Sequence, residues 1–211
     1  MTALIETVRV RQGIAPLWYL HLRRLADSCR ALGIPLPGEL ITPEGGEDRV
    51  HRLEVGRRGL KVTERPVPPV NAGVRLVLAR EHHRPYPHKT TDRRQFDRAL
   101  EEARARGGDD ALLLTTGGYL AETAIWAVFW WEGDRVCAPP LGLGILPSVA
   151  RARLGELTGG LQERRVGLAG IRGAPLFVGN AVRGLVEVTS LDGEKCPSHH
   201  AFAALTRHFW S

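Results

Sequence analysis

Strand-like and helix-like segments follow one another in this chain without the regular alternation that a parallel α/β sheet requires. Residues 5–10 alternate apolar and polar side chains and are rich in β-branched residues, which predicts a strand. Apolar residues in 17–32 recur at near-helical spacing, and Gly33 ends that pattern. Three short strand-like segments follow with no helix between them: 50–55, 60–64 and 74–79. This order predicts an α+β fold.

A polar segment with two prolines, residues 81–88, separates this first part from the rest of the chain. Beyond it, further strands and helices are predicted. The strands are 111–115, 125–131, 136–138 and 175–178, and the helices are 93–106, 147–157 and 199–210. We therefore predict two lobes, a smaller one at 1–86 and a larger one at 87–211. A chain of 211 residues with 43% hydrophobic residues can bury a core without disulfides or structural metal.

Several classes of protein are disfavoured by the composition. The longest apolar stretch, residues 124–131, is too short to cross a bilayer, and no signal peptide is recognisable. Three cysteines without CxxC spacing argue against a disulfide framework and favour a cytoplasmic protein. The histidine pairs at 82–83 and 199–200 lack further ligands at zinc spacing, and adjacent side chains point apart on regular elements. No metal site is expected.

The net charge of +6 is the excess of 29 basic over 23 acidic residues, and the arginine pairs are scattered along the chain and interleaved with acids. A nucleic-acid-binding protein would concentrate such residues in a stripe, so no nucleic-acid partner is expected. The scatter indicates either solvated surface charge or a mild positive field that favours a small anionic substrate.

Lysine is rare in this chain. Of 29 basic residues only Lys61, Lys89 and Lys195 are lysines. Only lysine can condense with an aldehyde, so each of the three is a candidate for that chemistry. Lys89 lies in HKTTDR, where an extended segment meets a predicted helix and could hold its amine rigidly. Taken alone, a lysine there is also compatible with an ordinary surface charge.

Three further features are each ambiguous when taken singly. Glu122 precedes a very apolar strand and could protonate a pyridine nitrogen, or it could simply flank a turn. The glycine-rich loop 142–148 runs into a helix, and such a helix start can bind an anion or be purely structural. Arg24, on the first helix, is a candidate partner for the same anion or an exposed side chain.

Taken in order, several segments resemble the class IV aminotransferase family of pyridoxal-phosphate enzymes. The matching segments are IETVRV, HLRRL, HKTTDR, ALLLTTGGYLAET, PPLGLGILPSVAR and GNAVRGLVEV. The resemblance implies the two-lobed fold-type IV architecture of D-amino acid and branched-chain aminotransferases, here shortened at the N-terminus. It also implies pyridoxal 5′-phosphate as cofactor and a homodimer.

The resemblance assigns roles residue by residue. Lys89 matches the catalytic lysine that bonds to the cofactor, and Glu122 the partner of its pyridine nitrogen. On the phosphate, the resemblance places Arg24, the backbone N–H groups of Val149 and Ala150, and the turn at Asn180 and Ala181. Many relatives carry hydroxyl residues where this chain has Ala150 and Ala181, so we expect fewer side chains to hold the phosphate.

Within the family, the sequence is most similar to 4-amino-4-deoxychorismate lyases. The similarity rests on the KTT-x-R motif at residues 89–93 and on the pair Asn180–Ala181 shortly before Arg183–Gly184. It implies elimination of pyruvate from 4-amino-4-deoxychorismate to give 4-aminobenzoate, a step of folate biosynthesis. The alternatives are an aminotransferase acting on branched-chain or D-amino acids, and a paralogue whose cofactor site has decayed.

Overall fold

A computed structural model describes residues 2–70 and 72–211 of the chain. The helices are α1 (Trp18–Leu32), α2 (Arg94–Ala105), α3 (Val149–Thr158) and α4 (Phe202–His208). The strands are β1 (Leu4–Val10), β2 (Arg49–Gly56), β3 (Gly59–Pro66), β4 (Val74–Leu78), β5 (Asp110–Leu114), β6 (Leu120–Thr123), β7 (Ala127–Glu132), β8 (Arg135–Ala138), β9 (Gln162–Glu163), β10 (Leu176–Asn180), β11 (Gly184–Leu191) and β12 (Glu194–Lys195). No helix among these residues is long and apolar enough to span a membrane.

The first three strands form a small antiparallel sheet in the order β1-β2-β3. Alternation along β1 directs Leu4, Glu6 and Val8 to one face, where α1 packs with Leu25. Thr7 lies directly opposite Arg52 on β2, so these two side chains share the other face. The small sheet therefore has an apolar helix-covered face and a polar face.

The remaining nine strands form a large mixed sheet in the order β6-β5-β4-β11-β10-β7-β8-β9, with β12 paired to β11. Strand β4 is parallel to both β5 and β11, whereas β10 is antiparallel to β11 and β7. The central strands are buried on both faces, since Trp130 and Phe129 are neighbours in sequence and each is 0% exposed. Helices α2 and α3 pack against this sheet.

The predicted α+β class is confirmed, and most predicted elements lie within two residues of the observed bounds. Four strands were not predicted: β6, β11 and the two-residue strands β9 and β12. Strand β11 is held by backbone pairing to β10 on one side and β4 on the other, which depends on tertiary structure rather than on local sequence. The C-terminal helix is shorter than predicted, because His199 lies before it and stacks on Trp131 with ring centroids 3.9 Å apart.

The two sheets meet at the segment that carries Lys89. The N–H of Ile5 donates to the carbonyl of Lys89 at 2.8 Å, and the N–H of Thr91 donates to the carbonyl of Ala3 at 2.8 Å. Residues 89–91 therefore extend the edge of the small sheet and lead directly into α2. Strand β4 belongs to the large sheet by its pairing, although it precedes residue 86. The lobes 1–86 and 87–211 stay a prediction.

Candidate active site

A cavity of about 230 Å³ lies between the polar face of the small sheet and the large sheet. Six of the seven residues predicted for the site line it: Lys89, Arg24, Glu122, Val149, Asn180 and Ala181. The seventh, Ala150, is 0% exposed and its side chain packs in the core beneath α3. Residues as far apart in sequence as Arg24 and Ala181 thus surround one space.

A second and larger groove, of about 390 Å³, lies beside this cavity between α1 and α3. It shares Arg24, Ser148 and Val149 with the cavity but includes neither Lys89 nor Glu122. Size alone does not identify the site. We place the candidate active site in the smaller cavity because the nucleophilic lysine and the acidic residue both line it.

Lys89 is fixed by its own backbone and by the residues that follow it. Its carbonyl is bonded to β1, and the Tyr86 hydroxyl donates to the carbonyl of Thr90 at 2.7 Å. The side chain is enclosed on most sides yet remains partly accessible through the cavity. Burial, reinforced by the positive charges of Arg93 and Arg24, lowers the pKa of Lys89 to about 7. Near neutral pH a large fraction of this amine is therefore uncharged and nucleophilic.

Glu122 is held in place by His83, a residue that no sequence motif indicated. Nε2 of His83 is 2.8 Å from Oε1 of Glu122, and the N–H of Leu146 donates to the same oxygen at 3.2 Å. The described hydrogen bonds involve Oε1 alone, so Oε2 is available toward the cavity. A carboxylate fixed at one oxygen and open at the other can bind a positively charged ring N–H.

The first turn of α3 presents backbone donors at the opposite wall, beside the turn after β10, which the Asn180 side chain orders. Ser148 caps α3 by accepting the N–H of Arg151 at 3.0 Å. Within the described residues, no acceptor pairs with the N–H groups of Val149 and Ala150. The side-chain oxygen of Asn180 accepts the N–H groups of Val182 and Arg183 at 3.0 and 2.8 Å. Free N–H groups at a helix start favour an anion there.

Arg24 belongs to a buried triad with Glu6 and His21, neither of which was predicted for the site. Its Nε and Nη2 donate to the two Glu6 oxygens at 2.9 and 2.5 Å, which leaves Nη1 for another acceptor. Burial alone would raise the pKa of Glu6, but Arg24 and His21 outweigh it and hold this pKa at about 2. The pattern Leu4, Glu6, Val8 along β1 was the signal available in the sequence, because it puts a carboxylate on the apolar face.

Burial lowers the pKa of His21, so its ring is neutral and donates from Nδ1 to Glu6 at 2.6 Å. Nε2 is buried, has no hydrogen-bond partner among the described residues and belongs to a ring that lines the cavity. A buried acceptor without a partner is costly unless a ligand satisfies it. The triad thus fixes Arg24 and offers a free nitrogen at the same wall.

The cavity is strongly cationic. One acidic residue, Glu122, lines it, together with Lys89 and five arginines: Arg24, Arg52, Arg65, Arg93 and Arg183. Arg52 donates to Glu54 at 3.0 Å, and Arg93 donates to the carbonyl of Ala124 at 2.6 Å. A space with this charge favours an anionic ligand.

The histidine pair at 199–200 lies in irregular chain rather than in a helix or strand. The expectation that its rings point apart is wrong, since their centroids are 4.3 Å apart. With Asp134 these residues bring three ligand atoms within 4.8 Å of one another. Asp134 and His200 are exposed, and Nε2 of His200 is 3.8 Å from Oδ1 of Asp134. None of the three residues lines the cavity of Lys89.

The family model for class IV amino-transferases matches residues 57–191, which is more than half of the chain. The matched range contains Lys89, Glu122, Val149 and Asn180. No curated protein matches the sequence significantly.

Solved structures share this fold over almost the whole chain. A protein from Mesorhizobium loti proposed to be an amino-acid aminotransferase is 29% identical, with a TM-score of 0.79 over 90% of this chain and 100% of that one. A protein from Legionella pneumophila proposed to be a 4-amino-4-deoxychorismate lyase is 25% identical, with a TM-score of 0.82 over 96% and 87%. A hypothetical aminotransferase from Mycobacterium tuberculosis, with α-ketoglutarate and PMP bound, is 22% identical, with a TM-score of 0.86 over 99% and 88%.

Proposed function

This chain belongs to the class IV aminotransferase family, and from that premise we propose that it eliminates pyruvate from 4-amino-4-deoxychorismate to give 4-aminobenzoate. The family consists of pyridoxal-phosphate-dependent enzymes, which are either aminotransferases or lyases. The cofactor supplies an aldehyde that bonds to an amine and a ring that accepts electrons. The choice of lyase and of substrate is our proposal.

We propose that the cofactor binds in the cavity of Lys89, with its aldehyde toward the lysine amine. Oε2 of Glu122 would accept a hydrogen bond from the protonated pyridine nitrogen, while His83 keeps the carboxylate oriented. The phosphate would lie between Nη1 of Arg24, the N–H groups of Val149 and Ala150, and the turn at 180–181. The free N–H donors at the start of α3 support this orientation, because an anion there would accept hydrogen bonds from them.

Lys89 has two tasks in this proposal. Its uncharged amine would hold the cofactor, and binding of the substrate amine would free it to act as a base. With a pKa of about 7, the released amine can remove the proton from the amine-bearing carbon of the substrate. The C–O bond to the enolpyruvyl group then breaks, and the ring becomes aromatic. Lys89 returns a proton to the leaving group, which becomes pyruvate, so no second substrate is needed.

The charge of the cavity is the observation that carries the lyase assignment. Five arginines and one lysine face a single carboxylate in the cavity wall. The proposed substrate has two carboxylates, which such a cavity can neutralise. A branched-chain substrate would instead require an apolar pocket for its side chain. The similarity to the Legionella protein agrees with this choice.

An aminotransferase remains the second candidate, and the 29% identity to the Mesorhizobium protein favours it. In that reaction Lys89 would move the proton from the substrate carbon toward the cofactor instead of triggering an elimination, and a keto acid would be the second substrate. The third hypothesis, a paralogue with a decayed site, requires that Lys89 carry no cofactor.

The deciding experiment supplies 4-amino-4-deoxychorismate alone to the cofactor-loaded protein, and in a separate reaction amino acids with 2-oxoglutarate or pyruvate. We expect 4-aminobenzoate and pyruvate in equal amounts from the first mixture, measured by chromatography. Turnover in the second mixture and none in the first would establish the aminotransferase. Turnover in neither mixture, by protein that carries cofactor, would reject both named activities.

The resemblance also supports proposals for the assembled protein. We propose a cytoplasmic homodimer that acts on a small anionic amine and requires neither nucleic acid nor membrane. Sedimentation equilibrium of the purified chain tests the dimer.

A further inference from the structure

Two of the five arginines in the cavity have no acidic partner. Within residues 2–70 and 72–211, Arg24 pairs with Glu6, Arg52 with Glu54, and Arg93 lies 3.8 Å from Asp97. Among the described residues, no carboxylate oxygen lies within 4.0 Å of Arg65 or Arg183. Neither guanidinium is therefore neutralised by a direct ion pair, and Arg183 interacts with a carboxylate, Asp110, only from beyond that distance.

Arg65 reaches the cavity from the small sheet. Strands β2 and β3 pair Val50 with Arg65 and Arg52 with Thr63, so Arg52 and Arg65 stand diagonally on one face of the sheet. That face is the cavity wall, opposite the face covered by α1. The position of Arg65 thus follows from the strand register.

Arg183 reaches the same space from the large sheet. Its backbone N–H is held by the side-chain oxygen of Asn180, and its Nε donates to the carbonyl of Pro69 at 3.2 Å. Its guanidinium lies 5.5 Å from the centre of the Trp126 ring, which also lines the cavity. Burial and then the nearby charge of Arg65 lower the pKa of Arg183. The two cations are therefore close enough to repel each other.

Two neighbouring guanidinium groups that face a cavity without an acidic partner form an anion site. We propose that Arg183 and Arg65 bind a carboxylate of the substrate that lies away from the reacting amine. This subsite is separate from the phosphate-binding groups at α3 and from Lys89. Such a subsite would restrict the substrate to amines that also carry an acidic group distant from the amine. This inference rests on the proposed function in one respect, the position of the reacting amine near Lys89.

The test measures binding rather than turnover. Cofactor-loaded protein is titrated with two matched pairs of ligands, 4-aminobenzoate against 4-aminobenzamide and 2-oxoglutarate against 2-oxopentanoate. Each pair differs by one carboxylate, and the Trp126 side chain beside Arg183 provides a fluorescence signal, with calorimetry as the second measurement. We expect the wild-type protein to bind the carboxylate ligand of at least one pair about tenfold or more tightly than its partner, because a charge-assisted hydrogen bond contributes this much to affinity.

Arg183→Gln and Arg65→Gln should each reduce this preference to roughly threefold or less, and Arg183→Lys should retain part of it. Arg135→Gln makes the same charge change on the exposed surface and should leave the preference unchanged. Circular dichroism verifies that each variant is folded. The affinity for pyridoxal phosphate should stay within about twofold in Arg183→Gln, because the proposed subsite does not contact the phosphate.

Three outcomes would overturn the inference. These are a wild-type protein without preference in either pair, a preference that survives both glutamine variants, and a loss of cofactor affinity in Arg183→Gln in place of the carboxylate preference. Failure of the lyase proposal is a different result. If the protein does not turn over 4-amino-4-deoxychorismate but shows a carboxylate preference that depends on Arg183, the subsite proposal is supported and the lyase proposal is rejected.

Discussion

At the scale of single residues, Lys89 differs from the other two lysines in its surroundings. Lys61 and Lys195 are exposed on strands β3 and β12, whereas Lys89 lies in a cavity wall beside Arg24 and Arg93. Desolvation and like charges both favour the neutral amine. The rarity of lysine singled out three positions, and only the folded chain distinguishes them.

We predict that borohydride reduction after addition of pyridoxal phosphate fixes the cofactor on Lys89. Only the neutral amine attacks the aldehyde, so the trapping rate should rise with pH through about 7 and then level off. An ordinary exposed lysine titrates at about 10.4 and would give a rate that still rises above pH 9. Peptide mass mapping locates the adduct. An adduct mainly on Lys61 or Lys195 would contradict the assignment.

A second residue-scale prediction concerns Glu122. Glu122→Gln keeps the hydrogen bond from the N–H of Leu146 but removes the charge that we propose to face the pyridine nitrogen. A charged hydrogen bond contributes roughly 1.5–3 kcal/mol, so turnover should fall at least about tenfold while the fold and cofactor binding persist. The exposed Glu101→Gln is the matched control. Equal turnover in Glu122→Gln and in the control would show that Glu122 has only a structural role.

At the scale of secondary-structure elements, β1 and α1 are joined by the buried triad of Glu6, His21 and Arg24. The pKa of Glu6 is about 2 in the folded protein, against an ordinary 4.5. A depressed carboxyl pKa adds stability above the unfolded value, and that stability is lost as the pH falls from 4.5 toward 2. The triad thus fixes β1, and the segment that carries Lys89 is hydrogen-bonded to the edge of β1.

We predict that Arg24→Ala weakens pyridoxal phosphate binding by about 2 kcal/mol or more, since Ala150 and Ala181 offer no hydroxyl in its place. Fluorescence titration measures the dissociation constant. Because Arg24→Ala leaves Glu6 buried without its ion partner, the double variant Glu6→Gln/Arg24→Ala should be tested beside it. Arg23→Ala, on the exposed side of α1, is the control. Cofactor affinity equal to the control in both variants would remove Arg24 from the phosphate site.

At the scale of the whole molecule, the cavity is bounded by both sheets. Thr7, Arg52 and Arg65 come from the small sheet, and Glu122 and Asn180 from the large one. A ligand in this space contacts both sheets at once, so its binding is coupled to their arrangement. The backbone bonds between Ile5 and Lys89 and between Thr91 and Ala3 hold that arrangement without the ligand.

Pyridoxal phosphate should therefore raise the melting temperature of the whole chain in a single transition, by several degrees at saturating cofactor. Pyridoxal, which lacks the phosphate, should have a smaller effect at the same concentration. Differential scanning calorimetry checks both. Two separate transitions, only one of which shifts, would show that the sheets unfold independently and that the cofactor binds to one of them.

The sequence alone determined the fold class and most elements, because periodicity in β1, α1 and α2 reports which face of each element is buried. It also determined the family and the candidates Lys89 and Glu122, since their chemistry is local to short motifs. Strand β11 was not predicted from the sequence because it is stabilised in part by pairing with β4, which is distant in sequence.

Only the tertiary structure decided which charges meet. Glu6 and Arg24 are 18 residues apart and His83 and Glu122 are 39 apart, and no local pattern pairs them. In the sequence, Arg65 and Arg183 are not distinguished from the other scattered arginines. They line the same cavity only because of the register of β3 and the turn after β10. Electrostatic interactions depend on distance and burial, and the order of residues along the chain specifies neither until the chain has folded.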